Sequence, residues 1–402
     1  MHERNLYLNR ITPFIDKPVI KIITGMRRVG KSCFLKLIIN HLEKNNTAKH
    51  QIVYINKESL EYDFIRNHRD LYEYAKKEFN TESEKKYLFI DEIQEIETWE
   101  RAVNSIFSEG KVDIFITGSN ARLLSSELAT LLSGRFVEFH IFSLGFQEYI
   151  EFREEKTADY EKLFREYLKF GGFPAICHFN LDEETIYQYV NGIYNTILLK
   201  DVVKRNSVRN VSLLDNLTRY IFDNVGNIFS AKKITDYLKS QKMKVGIETV
   251  QNYLSYLSST YAIHKVSRYD LKGKRILELH EKYYLGDIGL RHALLGFREA
   301  DISGILENIV FLELKRRGYR ITIGKAGNRE IDFIAEKEKK RIYLQVAYML
   351  HSRRTIDREF SVLKQINDNY PKYVVSMDTL FGNDFEGIQR INLIDFLLNP
   401  DL

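Results

Sequence analysis

The run Gly25-Met-Arg-Arg-Val-Gly30-Lys31-Ser32 sets two glycines five residues apart and follows the second with an ammonium and a hydroxyl. Glycines let the backbone wrap so that successive N–H groups point at phosphate oxygens, and a helix starting at Lys31 adds its positive dipole end. Lys31 would reach the β- and γ-phosphates of a nucleotide such as ATP, and the Ser32 hydroxyl would hold Mg2+. The nucleotide-contacting set is then Gly25, Arg28, Val29, Gly30, Lys31, Ser32 and Cys33, with Cys33 packing beneath the nucleotide. Of Arg27 and Arg28, one faces nucleotide and the other solvent.

Two further segments supply groups for the same chemistry. Tyr87-Leu-Phe-Ile-Asp91-Glu92 is an apolar run ending in two carboxylates. Asp91 at a strand's end would meet Mg2+ through a water, and Glu92 would polarise an attacking water as general base. The run Asp113-Ile-Phe-Ile-Thr117 ends in Gly118-Ser119-Asn120. Ser119 or Asn120 there either hydrogen-bonds the water or γ-phosphate, or caps the helix that follows.

Short apolar strands at Val19–Thr24, Ile52–Ile55, Tyr87–Ile90, Asp113–Thr117 and Phe136–Phe142 must position these groups. They alternate with helical patterns at Lys31–Glu43, His68–Phe79, Trp99–Ser108 and Ala121–Leu132, so the fold class is α/β with a largely parallel sheet. From Glu148 to Val225 the chain reads as helical throughout, interrupted by Gly171-Gly-Phe-Pro174. Helices at Ala231–Ser240 and Ile247–Ser258 follow, then a hairpin of Ala262–Tyr269 and Arg275–His280. The end is mixed: a helix over Leu306–Arg317, strands near Tyr319–Gly324, Glu330–Glu336 and Arg341–Ala347, a helix near Asp357–Asp368 and a strand near Tyr373–Ser376. The expected domains are 1–147, 148–225, 226–290 and 291–402.

The segments GMRRVGKS, YLFIDEI, ITGSN and LLSGR resemble the P-loop NTPase domain of AAA+ ATPases. More narrowly, they are similar to a group of bacterial and archaeal ATPases whose C-terminal half is a domain of unknown function. GGFPA (Gly171–Ala175), LLKDVVKR (Leu198–Arg205), KYYLGDIGLR (Lys282–Arg291) and NREIDFIAE (Asn328–Glu336) resemble the same group, so the likeness spans nearly the whole chain. It implies an ATPase using hydrolysis as a conformational switch, with 148–225 as a helical lid. It also implies an arginine finger at Arg135, which would reach into a neighbour's site and so require a homo-oligomer; a helix-capping role for Arg135 stands beside it.

Phe229–Leu285 looks like a winged helix. Its second helix would present Glu248, Thr249, Gln251, Asn252 and Ser255 to a groove. Lys232, Lys233, Lys239, Lys242, Lys244, Lys265, Arg268, Lys272, Lys274 and Arg275 would position DNA phosphates, mostly without sequence specificity. A protein-contact role stands beside that one. The last segment resembles a restriction-endonuclease-like core, with Glu307 or Glu313 as helix acid, Asp332 as strand acid and Gln345 completing a metal site. The lysine position of that pattern is Ala347, which cannot donate to an oxyanion. Lys325 or Lys315 has no supporting spacing as a substitute, so the site reads as degenerate. The fold then grips nucleic acid through Lys315, Arg316, Arg317 and Arg320, or simply packs. The other functions left open are an ATP-gated DNA nuclease and a nucleotide-dependent protein-interaction switch without a DNA role.

Composition agrees with a globular protein: 402 residues, 44% hydrophobic, 29% charged, 60 basic against 55 acidic side chains and a net charge of +5. No apolar run approaches the ~20 residues that span a bilayer, and the N-terminus lacks the apolar core of a secretory signal. Two cysteines cannot build a disulfide framework, so the expected home is the cytoplasm. The ten histidines show no ligand spacing, and no structural zinc is expected.

Overall fold

The computed structural model describes residues 2–79, 84–121, 131–132, 134–154, 159–273, 275–327, 329–350, 352–378 and 384–399. It divides into two compact units, Met1–Ile141 with Ser259–Tyr261, and Phe142–Ser258 with Ala262–Leu402. The expected segments 148–225 and 291–402 lie in the second unit, as does 226–290 apart from Ser259–Tyr261. The helix expected over Ala121–Leu132 falls largely outside the described residues, as do Lys274 and Asn328.

Unit 1 holds a five-stranded parallel sheet: β1 (Ile20–Thr24), β2 (Ile52–Asn56), β3 (Lys86–Asp91), β4 (Val112–Gly118) and β5 (Phe136–His140), in the order β2-β3-β4-β1-β5. Strands β1 and β3 are buried at every position, as continuous apolar runs in a sheet covered on both faces require. Helices α1 (Asn5–Ile11), α2 (Lys31–Lys44), α3 (His68–Glu78) and α4 (Trp99–Ser108) flank it. Trp99, Ala102, Val103 and Ile106 of α4 pack into one core with Ile20, Ile22, Leu88 and Ile114. The order matters for chemistry: β4 lies between β1, which carries the glycine loop, and β3, which carries the two carboxylates.

Unit 2 opens with helices α5 (Phe146–Arg153), α6 (Tyr160–Phe170), α7 (Glu183–Thr196) and α8 (Val211–Asp223). The run Ile197–Lys204 after α7 widens into a π-helix, around a buried Asp201 paired with Arg205 at 3.7 Å. Next come β6 (Ile228–Phe229), α9 (Ala231–Ser240), α10 (Ile247–Ser259), β7 (Ile263–Asp270), β8 (Arg275–Leu285) and α11 (Ile288–Leu295). The last stretch is α12 (Ile302–Arg316), β9 (Arg320–Ala326), β10 (Arg329–Lys337), β11 (Lys340–Val346), α13 (Arg353–Lys364), β12 (Lys372–Ser376), β13 (Asp384–Phe385), β14 (Ile388–Asn392) and α14 (Leu393–Leu398). All nine of these strands form one sheet in the order β13-β14-β12-β11-β10-β9-β7-β8-β6. The hairpin β7–β8 joins β9 in parallel at Arg268–Asp270 against Ile323–Lys325, so the sheet runs on across residue 290.

The two glycine-bearing motifs of unit 2 meet in a buried knot. Asp287 caps α11 by accepting from Gly289 N at 2.8 Å, and its other oxygen accepts from Gly172 N at 2.9 Å. Burial pushes the Asp287 carboxyl up to about 6, against the pull of these N–H groups. Because the folded value is raised, the stability this group contributes is present below about pH 4 and lost as pH rises through 6. The stability advantage of the parent over Asp287→Asn should therefore shrink between pH 4 and 7, by up to about 3 kcal/mol. Thermal unfolding of both proteins across that range measures it.

Candidate functional site

The loop from Gly25 to Ser32 leaves β1 and enters α2, as the spacing predicts. Gly25 sits at φ +145, and a Cβ there would lie 2.3 Å from the Ile141 carbonyl oxygen, so only glycine fits. Gly30 caps α2 in a left-handed conformation at φ 98. The buried Lys31 donates to the carbonyls of Gly25 at 3.0 Å and Met26 at 3.1 Å. An ammonium folded onto its own loop in this way is positioned for phosphate oxygens, since those would replace the carbonyls as acceptors. Ser32 is half-buried in the first turn, and Val29 is buried with its carbonyl accepting from Arg4 at 3.0 Å.

Asp91 and Glu92 lie at the end of β3, both buried. Asp91 accepts from the Thr117 hydroxyl of β4, and from Tyr54 of β2 at 3.2 Å. Thr117 in turn accepts from Glu92 N at 2.9 Å. Glu92 adopts a left-handed backbone at φ 55, and its carboxylate lies 3.9 Å from the Lys31 ammonium. Ser119 donates to it at 3.3 Å, and Gln94 donates to the same oxygen. Burial pushes the Glu92 carboxyl up, but Lys31 and Arg27, with the donors Gln94 and Ser119, outweigh it and hold it below its ordinary value. A base kept ionised against burial can accept a proton at neutral pH. Gly25, Gly30, Lys31, Glu92 and Ser119 are thus gathered at one end of the sheet, with Asn120 buried alongside in sequence.

Cys33, Arg28 and Arg135 are exposed. Cys33 is in the first turn of α2 and lies near Tyr54 of β2, whose hydroxyl donates to Asp91. Arg28 is exposed with a left-handed backbone at φ 64, whereas Arg27 is half-buried and is the arginine whose charge acts on Glu92. Arg135 is exposed immediately before β5, at the opposite end of the parallel sheet and roughly 15 Å of strand from the loop. Its carbonyl accepts from Ile20 N at 2.8 Å. Composition of the motifs left Arg4, Tyr54 and Thr117 unmarked, since their partners are distant in sequence.

In unit 2, Lys232, Lys233, Gln251, Asn252 and Lys272 are exposed on α9, α10 and the hairpin turn. Arg268 is half-buried and turned toward Glu330, 4.0 Å away, rather than outward. Arg316 and Arg317 are buried: Arg316 donates to Ser143 O at 3.1 Å, and Arg317 to Glu313 at 2.8 Å. They pack and leave no grip for a nucleic acid, because their guanidinium groups are spent inside the fold. Arg320 is 82% exposed and paired with Glu336 at 3.0 Å.

Glu307 of α12, Asp332 of β10 and Gln345 of β11 do come together. Asp332 Oδ2 accepts from Val346 N at 2.8 Å, and Gln345 accepts from Asp332 N at 3.3 Å. Two residues not expected there join them, Glu330 and Lys282. Lys282 Nζ lies 2.7 Å from Glu307, 2.6 Å from Glu330 and 3.9 Å from Asp332. Burial opposes its charge, but Glu307, Asp332 and Glu330 outweigh that and hold the ammonium above its ordinary range. Burial, then Glu307, pushes the Asp332 carboxyl well up, against Lys282 and the Val346 N–H.

Residues 17–150 match a family described as an AAA domain, and residues 161–301 a domain of unknown function (DUF8612). An uncharacterized protein of Haemophilus influenzae is 37% identical over 400 residues, 99% of each chain. The uncharacterized protein MJ1544 of Methanocaldococcus jannaschii is 34% identical over 394 residues, covering 94% of this chain and 85% of that protein. Among solved structures, the Walker-type ATPase PABY2304 of Pyrococcus abyssi superposes with a TM-score of 0.52 at 14% identity, over 73% of this chain and 96% of that one. That likeness shows the P-loop NTPase fold. No helix among the described residues is long and apolar enough to cross a membrane. With a glycine loop, a strand-end acid pair and a relative matched along its whole length, the chain belongs to a family that joins an AAA-type P-loop ATPase domain to a C-terminal domain of unknown function.

Proposed function

We propose that the protein binds ATP with Mg2+ and hydrolyses it, using the nucleotide as a conformational switch. The observation that carries this reading is the meeting of Lys31, Glu92 and Ser119 over the Gly25–Ser32 loop. In it, Lys31 exchanges the carbonyls of Gly25 and Met26 for phosphate oxygens. Ser32 and Asp91 would hold the metal, and this donor set of a hydroxyl and a buried carboxylate suits Mg2+. When bound, Mg2+ neutralises charge on the β- and γ-oxygens. Glu92 takes the proton of the attacking water, and Ser119, already bonded to that carboxylate, passes the presence of the γ-phosphate to it. Arg135, exposed at the far end of its own sheet, serves a neighbouring copy or none.

Lys31→Ala should weaken ATP binding by about 100-fold, because charge-assisted bonds to phosphate are lost. Titration with a fluorescent ATP analogue measures it, and unchanged affinity would remove the phosphate-loop assignment.

DNA is the partner class favoured for the α9–α10–hairpin segment, read as a winged helix. Exposed Lys232, Lys233, Lys239, Lys242, Lys244, Lys272 and Arg275 support it. Contact through these lysines would be largely sequence-independent, with affinity for duplex falling steeply as salt rises.

A further inference from the structure

The carboxylates of unit 2 converge on a cation that the chain supplies itself. Three elements contribute: α12 gives Glu307, β10 gives Glu330 and Asp332, and β8 gives Lys282. An ammonium has three donors. Two reach Glu307 and Glu330 at 2.7 and 2.6 Å, and Asp332 Oδ1 stands 3.9 Å from the nitrogen. A metal-dependent nuclease of this α-β-β-β layout would need a divalent cation between those same acids. The residues present do not fit one. The ammonium already lies within hydrogen-bonding reach of the oxygens that would be its ligands, and among the described residues no set of three His, Cys, Asp or Glu side chains is placed to hold a metal ion.

We propose that Lys282 is the resident cation of this cluster, an internal substitute for a divalent metal that locks the β7–β8 hairpin onto the α12–β9–β10–β11 core. The neighbours of Lys282 bear out a locking role. Tyr284, two residues on and so on the same face of β8, donates to the same Glu307 oxygen. Asn308, beside Glu307, clasps the next residue of β8 by both polar atoms, accepting from Leu285 N at 2.6 Å and donating to Leu285 O at 3.1 Å. The strand is held along its edges too, with Lys282 registered against Val266 of β7 and Ile228 of β6.

The competing reading is that Lys282 stands in for the lysine absent at Ala347 and assists cleavage. Access decides between them. The Lys282 side chain is 3% exposed and that of Asp332 11%, so a phosphodiester cannot reach either without the hairpin lifting away. A lysine that only salt-bridges acids in a closed interior performs an ion's structural task.

The test uses full-length protein without nucleotide and Mn2+ as the probe, with bound metal counted by electron paramagnetic resonance. The parent should bind no Mn2+ that depends on Asp332. Lys282→Met should melt roughly 10 °C lower, because three acids lose their counter-charge. It should also gain one Mn2+ per chain, recover stability when Mn2+ is added, and lose both effects on adding Asp332→Asn. Should Lys282→Met not fold, Lys282→Gln paired with Glu330→Gln removes one charge of each sign and carries the same readout. Mn2+ bound by the parent and lost with Asp332→Asn overturns the proposal. So does a folded Lys282 variant that binds none, or plasmid nicking by the parent that Lys282→Met abolishes. No arm involves ATP, so this outcome and that of the ATPase reading are independent.

Discussion

Glu92→Gln should slow ATP turnover by about 100- to 10,000-fold, the range that a positioned general base supplies. Glutamine keeps the shape of the side chain and an oxygen for the Ser119 hydroxyl, but cannot take a proton. The backbone of Glu92 is fixed independently of its carboxylate, by the hydrogen bond from its N–H to Thr117, so the substitution should not disturb the strand end. Nucleotide affinity should hold or rise, since Lys31 loses the carboxylate 3.9 Å away that competes with phosphate for it. Phosphate release under saturating ATP measures the first effect, and equilibrium titration the second. Turnover at the parent rate would exclude Glu92 as the base. Loss of binding and turnover together would mean that the residue shapes the loop instead.

The second large effect lies in unit 2. Gly171→Ala should destabilise unit 2 by about 3–5 kcal/mol, at the upper end of what single substitutions do. Gly171 has φ +80, and a Cβ there would lie 2.2 Å from Asp287 Oδ1 and 2.7 Å from Gly289 N. Neither neighbour can retreat, since Asp287 is pinned by Gly172 and Gly289, and a Cβ on Gly289 would itself lie 2.5 Å from Phe170 O. Gly296 provides the comparison: its φ is +76, yet a Cβ there meets nothing within 4 Å. Gly296→Ala should therefore cost only the left-handed strain of about 1–2 kcal/mol. Urea unfolding of the two variants separates crowding from backbone strain, and equal losses would dismiss the knot as a stability element.

The nucleotide half was legible because its chemistry is written in contiguous residues. The glycine loop, the acid pair at the end of β3 and the polar end of β4 each occupy one short run, and the buried strands read as unbroken apolar segments. Arg27 and Arg28 were not separable, because which of two adjacent side chains faces inward depends on the left-handed turn at Arg28. In unit 2, helix α9 follows its pattern residue for residue, but β8 runs to Leu285 rather than stopping at His280. A lysine among alternating residues reads as a solvent-facing position. Nothing local reveals that its partners are Glu307, Glu330 and Asp332. The strands β13 and β14 are short and polar, which leaves no periodic signal to find. The π-helical run Ile197–Lys204 has the composition of any helix.

Continuity of the nine-stranded sheet decides where the chain can be divided. A fragment ending at residue 290 would carry β7 with one edge stripped of β9, an open template for pairing with other molecules. It would also carry Lys282 with no acid from α12 or β10. The complementary fragment would hold Glu307, Glu330 and Asp332 with no counter-charge between them. Cutting the chain at that junction should therefore yield two pieces that aggregate, each with an unpaired strand edge or uncompensated buried charge.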